Sequence, residues 1–476
     1  MELSEREIRS LVDRIAAELQ QRRAGGRPGA PLAAPAGLGI FHTVDEAVAA
    51  ARRAQRGIGT LALRERILTN QRRRLAEQAR ALAEEAVAET GLGRADDKLL
   101  KNTLCIERTP GTEDLHPEIL SGDHGLTLTE LAPWGVIGAA TPSTNPAATI
   151  INNGLSMIAA GNAVVFAAHP SARGVTNRTI GIMNAASVEV GGPDTLLTAV
   201  TEPTIQTAQT LFQHAGVDLL VVTGGGAVVR EAQKSTKRVI AAGPGNPPVV
   251  VDASADLARA ARDIVLGASF DNNIVCTCEK EILAEASIAD RLLTELQRNK
   301  AVLLSASETE AMARALLLDY PARAGAEPRM NREFVGKDAP VLAGLIGKTV
   351  PPDTRLLVAE TDRHHPFAVL ELLTPVIPFI RCPDVHTAID WAIELEHGFK
   401  HTACMHSKHL DHLHRMAVGI NCSIFVKNGP NLAGLGFGGE GPTAMTISTP
   451  TGEGPTSART FVRRRRCVLV DYFRIV

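Results

Sequence analysis

The chain has 476 residues and a formal net charge of −2, with 50 lysines and arginines against 52 aspartates and glutamates. That balance offers no excess of cations for phosphates and argues against a nucleic-acid binder. The length exceeds the ~250–300 residues that one core accommodates, so two or more domains are expected.

In chain order, residues 2–23 are predicted to form a separate amphipathic helix. Ile8, Leu11, Val12, Ile15 and Leu19 share one helical face, and Ser4 with Glu7 makes a capping-box pattern. The start lacks a signal-peptide pattern, and no apolar run reaches the ~18 residues of a membrane span. Residues 24–39, AGGRPGAPLAAPAGLG, suit a flexible linker. A helix on a linker either packs back on its own body or docks into a partner, and the linker favours docking.

From about residue 40 the pattern is that of a folded core. Residues 44–90 read as long helices. Strands are predicted at 135–140, 162–168, 218–225, 247–252 and 279–285, with helices at 144–161, 255–269 and 289–299. This alternation predicts an α/β protein with mostly parallel sheets. Residues 429–457, rich in Gly, Pro and Thr, read as an extended loop. Residues 460–473 read as a strand, and 125–131 as a second, both able to pair with another subunit. The run Arg463 to Arg466 reads as a solvated turn near the end of the chain.

Seven cysteines without repeated spacings fit a reducing, cytoplasmic setting. Two of them, Cys276 and Cys278, stand in SFDNNIVCTCEK. A structural zinc site needs more ligands than this pair supplies; His401, Cys404 and His406 are the nearest echo, and no metal is expected. A Cys-x-x-Cys redox motif is absent. A nucleophile fits Cys276, which lies in a loop between a helix and a strand; burial as a small apolar side chain fits Cys278 better. The Gly-rich GLGFGG at 434–439 opens no helix and is discounted as a dinucleotide fingerprint. TGGG at 223–226 is better placed, between a strand and a helix whose N-terminal amides would face a phosphate.

The ordered motifs PWGVIGAATPSTNPAATIINN, GNAVVFAAHPSA, VVTGGGAVV, AAGPGNPPVVV, SFDNNIVCTCEKE and ELLTPV resemble the aldehyde dehydrogenase superfamily. More closely, residues ~40–476 resemble its CoA-acylating members from bacterial microcompartments. The resemblance implies a Rossmann-type cofactor domain, an α/β catalytic domain and a β oligomerisation extension. It divides the chain into a targeting helix and linker (1–39), a cofactor domain (40–243, with an oligomerisation excursion near 118–131), a catalytic domain (244–440) and a C-terminal loop and strand (441–476).

The same resemblance assigns roles. Cys276 is the nucleophile and Asn145 the oxyanion donor. Thr141, Pro142, His169, Pro170, Thr223, Gly224, Gly225, Gly226 and Glu371 face NAD, with NADP as the variant. His401 matches a histidine shared by CoA-acylating relatives. Hydrolytic relatives carry a water-activating glutamate where Ala241 stands here, which disfavours hydrolysis of an acyl-enzyme. The implied reaction converts a short aldehyde, propionaldehyde ahead of acetaldehyde, to its acyl-CoA with NAD⁺ and coenzyme A. The implied setting is inside a microcompartment, with residues 2–23 docking to a shell protein and the enzyme a homodimer or homotetramer. A CoA-independent dehydrogenase and an idle cargo or scaffold protein are the competing readings.

Overall fold

The computed structural model describes residues 38–321 and 327–476; the predicted helix at 2–23 and the predicted linker up to residue 37 lie outside the described residues. Runs such as VIGAA, AVVFA and LLVVT are apolar throughout rather than alternating, as strands covered on both faces require. They build a six-stranded parallel sheet in the order β1-β6-β5-β4-β7-β8. Its strands are β1 (Ile40–Phe41), β4 (Val136–Ala140), β5 (Ala163–Ala167), β6 (Leu197–Val200), β7 (Leu219–Thr223) and β8 (Arg238–Ala242).

Helices α1 (Val44–Arg56), α2 (Leu61–Thr90), α3 (Ala95–Arg108), α4 (Pro146–Ala159), α5 (Arg173–Glu189) and α6 (Ile205–Gln213) surround this sheet. Thr43 and Glu46 start α1 with a reciprocal capping box. Gly91, left-handed at φ 67°, ends α2. Helix α2 is the spine of the half, packing on α3, α4 and α5. Helix α3 is unusual because its buried face is polar. Asp97, Lys98, Lys101 and Asn102 are inside, while Leu100 is 43% exposed.

The second sheet is parallel throughout, in the order β11-β14-β15-β10-β9-β16-β17. It comprises β9 (Pro248–Val251), β10 (Glu281–Glu285), β11 (Ala301–Leu304), β14 (Leu356–Glu360), β15 (Val376–Cys382), β16 (Thr402–His406) and β17 (Ile424–Lys427). After β8 the chain forms β9, and helix α8 (Leu257–Ser269) follows. The helix between β7 and β8, α7, spans Gly226–Gln233. Two short ladders, β12 (Leu317–Leu318) with β13 (Arg329–Met330) and β18 (Ile447–Ser448) with β19 (Gly454–Pro455), complete the small elements.

The third sheet is antiparallel: β2 (Glu118–Gly122), β3 (Gly125–Pro133) and β20 (Val462–Val470). The arginine run is part of β20, not a turn: Arg463 pairs with Ala132 and Arg466 with Thr129. Strand pairing uses only the backbone, and these four side chains are all exposed, so charge repulsion is relieved by water. The predicted loop at 429–457 carries only the short pair β18–β19 and a 3-10 turn at Asn431–Leu435. It is pinned back to the first half. Met445 N–H donates to Asn152 Oδ1 at 2.8 Å, and Asn152 Nδ2 donates to the Thr443 carbonyl at 3.2 Å.

The loop from α2 to α3 approaches the loop after α8 at one glycine. Gly93 has φ 73°, and a Cβ there would lie 2.0 Å from Asp271 Oδ1. Gly93→Ala is expected to lower stability by about 2 kcal/mol or more, through left-handed strain and the clash. Gly344, in the helix Ala339–Leu345, has open space at its Cβ; Gly344→Ala should leave thermal unfolding unchanged or raise it slightly. Equal melting temperatures for the two variants would refute this account.

Candidate active site

The chemistry-bearing side chains of the second half sit in the loops that lead into four neighbouring strands. Glu371 precedes β15, Cys276 precedes β10, Gly245 precedes β9 and His401 immediately precedes β16, and these strands are adjacent in that order. Parallel strands put all four loops on one edge. Gly245 is the spacer between two of them: a Cβ there would lie 3.0 Å from the Cys276 carbonyl oxygen and 3.0 Å from His401 Cγ.

The turn before Cys276 is built from three successive left-handed residues, Asp271, Asn272 and Asn273, at φ 47°, 55° and 68°. Asp and Asn tolerate this region better than other residues with a Cβ, and each side chain is anchored. Asn272 Nδ2 donates to the Gly336 carbonyl and to Asp338 Oδ1, both at 2.8 Å. Asn273 Nδ2 donates to the carbonyls of Ala268 (2.7 Å) and Glu279 (2.9 Å). Lys280 Nζ closes the turn by donating to Asn273 O at 2.7 Å and Oδ1 at 2.6 Å. Asp271 Oδ1 accepts Arg94 N–H at 2.7 Å; its Oδ2 accepts Lys98 Nζ at 3.0 Å and also Lys101 Nζ. Burial alone would raise the Asp271 carboxyl, yet Lys101 and Lys98 hold it below its usual range.

Cys276 is half-buried and Cys278 fully buried, with its thiol 3.7 Å from the Phe270 carbonyl. Burial pushes the Cys276 thiol up to about 11; the Glu371 carboxylate adds to the rise, and Lys280 and Lys101 oppose it. In the protein alone, Cys276 is therefore a thiol at neutral pH. Burial also raises the Glu371 carboxyl, against the pull of Lys280 and a hydrogen bond from the Gly245 N–H. His401 is fully buried and its pKa falls to about 4, through burial and Lys280. Its Nδ1 faces Thr402 Oγ1 at 2.9 Å, while Nε2 has no protein partner. In the tautomer in which Nδ1–H donates to Thr402 Oγ1, Nε2 carries the lone pair and can accept a proton.

Asn145 caps α4 from the loop after β4. Its Oδ1 accepts Lys101 Nζ, the same ammonium that binds Asp271. Its Nδ2 donates to Thr144 Oγ1 at 3.1 Å, which leaves one amide N–H over.

The remaining expected cofactor residues lie at the carboxyl edge of the first sheet. Thr141 and Pro142 follow β4, His169 and Pro170 follow β5, and Thr223 ends β7 with Gly224 and Gly225 leading to Gly226 at the start of α7. The strand order reverses direction between β4 and β7, and ligands of open parallel sheets bind outside such a switch point. The local features fit a dinucleotide. Gly225 caps α7 with no side-chain hydrogen bond; Val228 and Val229 N–H donate to its carbonyl, which leaves the Gly226 and Ala227 amides for a phosphate. A Cβ on Gly225 would meet nothing within 4 Å, and Thr141 Oγ1 is buried without a partner. Glu371 lies near enough to Cys276 to raise its thiol. Ala241 is buried in β8 and its N–H donates to Thr451 Oγ1 at 3.0 Å.

Among the described residues, no group of three or more His, Cys, Asp or Glu side chains is arranged to hold a metal. His401 and His406 lie at opposite ends of β16, which keeps them from converging. No described helix is long and apolar enough to cross a membrane. Sequence reasoning missed Asp271, Lys98, Lys101 and Lys280. Their only trace was charge at positions that a surface helix or a strand entry would also carry.

An aldehyde dehydrogenase family model matches residues 41–449. The chain is 54% identical to the acetylating acetaldehyde dehydrogenase EutE of Salmonella typhimurium, over 92% of this chain and 94% of the relative. Its fold is similar to a propionaldehyde dehydrogenase from the Clostridium phytofermentans fucose utilisation bacterial microcompartment, with TM-score 0.89 and 41% identity, covering 92% of this chain and 100% of that one. It is likewise similar to Rhodopseudomonas palustris propionaldehyde dehydrogenase with bound CoA and an acylated cysteine, with TM-score 0.88 and 44% identity, covering 91% and 98%.

The Glu371 carboxylate and a Cys276 thiolate are like charges, so removing the carboxylate favours the thiolate. Glu371→Gln should therefore lower the Cys276 pKa. Because each unit multiplies the thiolate fraction tenfold below the pKa, iodoacetamide should alkylate Cys276 several-fold faster at pH 9 in this variant. Mass spectrometry of the Cys276 peptide over time reads the rate; an equal or slower rate would contradict the assignment.

Proposed function

The chain belongs to the aldehyde dehydrogenase family, and we propose that it oxidises a short aliphatic aldehyde to its acyl-CoA with a nicotinamide dinucleotide and coenzyme A, through a thioester on Cys276. The observation that carries this reading is the row Glu371, Cys276, Gly245, His401 along one strand edge. It sets the backbone of Cys276 close to a neutral imidazole whose Nε2 has no protein partner.

The chain's residues then divide the work. Thr223 to Gly226 and α7 hold the dinucleotide phosphates, Thr141 and Pro142 line its path, His169 and Pro170 face its adenosine end, and Glu371 orients its nicotinamide end. The first sheet serves as the cofactor half and the second as the catalytic half. Cys276 gives up its thiol proton to solvent, and the thiolate Sγ forms a bond to the aldehyde carbon. The carbonyl oxygen takes the negative charge and is met by Asn145 Nδ2 and the Cys276 N–H. When bound, the nicotinamide supplies the acceptor for the hydride that leaves this carbon. The carbonyl reforms as a thioester on Cys276. The CoA sulfur then attacks that carbon, the Cys276–carbon bond breaks, and His401 Nε2 accepts the CoA thiol proton. Ala241 offers no carboxylate to activate water, which supports acyl transfer over release of free acid.

The higher identity to an acetylating enzyme orders acetaldehyde ahead of propionaldehyde, the reverse of the order the sequence resemblance alone implies. The reading extends to a microcompartment setting, supported by the origin of the Clostridium phytofermentans relative, with residues 2–23 as the shell-docking helix. It also extends to a homo-oligomer joined through the third sheet, supported by the exposed Ile119, Leu120, Val468 and Val470.

NADH formation across a C2–C5 aldehyde series, with and without CoA, tests the reaction. Turnover should require CoA and be greatest for the shortest members. Cys276→Ala should lose three or more orders of magnitude, in line with loss of a nucleophile, while Cys278→Ala keeps turnover. Full activity of Cys276→Ala, or turnover indifferent to CoA, would refute the reading. Removing residues 1–39 should leave kcat unchanged and abolish co-sedimentation with shell protein; loss of both would instead mean that the segment supports the enzyme body.

A further inference from the structure

One buried ammonium joins the two halves of the site. Lys101 Nζ donates to Asn145 Oδ1 in the first half and to Asp271 Oδ2 in the turn before Cys276. Lys101 is 3% exposed and Lys98 2%. Lys98 donates to the same Asp271 oxygen at 3.0 Å and to the Thr144 carbonyl at 3.0 Å, without touching Asn145.

Resting on the proposed role of Asn145, we infer that Lys101 is a positioning residue for the oxyanion hole, acting through the Asn145 amide on the charge that develops at the substrate oxygen. Three arguments support this. An ammonium has only donors, so the atom of Asn145 that faces it is the carbonyl oxygen, and the amide is locked with Nδ2 directed away. A cation on an amide oxygen draws electron density from the nitrogen, which makes its N–H a stronger donor, as hydrogen-bond chains do. Two ammoniums share one carboxylate oxygen, so one positive charge of the trio is left uncompensated behind the hole. The other nearby carboxylate, Asp97, is engaged elsewhere: its Oδ2 accepts the Asp271 N–H at 3.0 Å and Arg355 Nη2 at 3.1 Å. A buried charge that needs no reorganisation is worth most where charge appears during reaction.

The arrangement also makes the test practicable. With Lys101 removed, Lys98 still pairs with Asp271, so no carboxylate is stranded. The NADH burst of Lys101→Met, Asn145→Ala and the double variant is measured in the full-length enzyme with acetaldehyde and NAD⁺, alongside KM for NAD⁺ and thermal unfolding. Lys101→Met is expected to slow the burst about 10- to 100-fold, with KM for NAD⁺ within about twofold of the parent. The double variant is expected to be no slower than Asn145→Ala alone, the non-additivity of groups that act as a unit. A purely structural Lys101 would give multiplying losses or a matching rise in KM, and either overturns the inference, as does an unchanged burst. Should Lys101→Met not fold, Lys101→Gln, which keeps a donor for Asn145 and loses the charge, enters the same cycle. If Asn145→Ala itself keeps a normal burst, the oxyanion reading fails first, separately from the role of Lys101.

Discussion

A single carboxylate oxygen, Asp271 Oδ2, is the constraint on which the site depends. It is wholly buried and takes ammonium hydrogens from Lys98 and Lys101 on α3. Buried charges persist only when paired and fully hydrogen-bonded, so once α3 carries two lysines inward, the turn bearing Asp271 has one place to be. That turn in turn fixes Cys276. The left-handed run Asp271 to Asn273 would be poorly populated in a free chain. Here the two lysines, Lys280 and the Gly336 and Ala268 carbonyls hold it.

The same pairing explains why α3 buries charge. Asp97, Lys98, Lys101 and Asn102 are inside together with Cys105 and Ile106, while Leu100 is exposed; a usual amphipathic helix turns its charged residues outward. Burying two lysines and an aspartate gains little net stability compared with an apolar packing of the same shape. The gain lies in positioning: the helix locks one loop from each half. Burial and Lys101 together pull Lys98 down to about 8, a measure of how far this site strains the preference of charge for water. Leu373 (φ 53°), between Glu371 and β15, and Lys400 (φ 56°), just before His401, are further non-glycine residues held left-handed beside the site. Left-handed non-glycine residues thus occur in three of the four loops of this row.

Much of the architecture was legible because strands covered on both faces leave apolar runs, and helices of the first half leave a 3.6-residue period. Thus 135–140 and 162–168 were readable as strands around the helix at 144–161. Cys276 was legible by position, as a cysteine in a loop between α8 and β10. Asn145 and Glu371 were visible only through family resemblance, since nothing in a lone Asn-Pro or Glu-Leu-Leu marks chemistry. Lys98 and Lys101 were invisible because hydrophobic periodicity treats a lysine as solvent-facing, and their burial depends on Asp271, more than 170 positions away. Over the arginine run the strand reading of 460–473 holds and the turn reading of Arg463 to Arg466 does not: charge density says nothing about backbone pairing, and β3 supplies that pairing from a distant part of the chain.

The row of loops along the second sheet has a further consequence of scale. Adjacent strands lie ~4.8 Å apart, so the step from the strand of Glu371 to that of Cys276 is one spacing, and from Cys276 to that of His401 it is two, with side-chain-free Gly245 between. The sheet acts as a ruler. A group held at the Glu371 end and one held at the His401 end approach the same sulfur from opposite sides, about 14 Å apart at the backbone. Because Gly245 has no side chain, the Cys276 carbonyl and the His401 ring close in on it from either side.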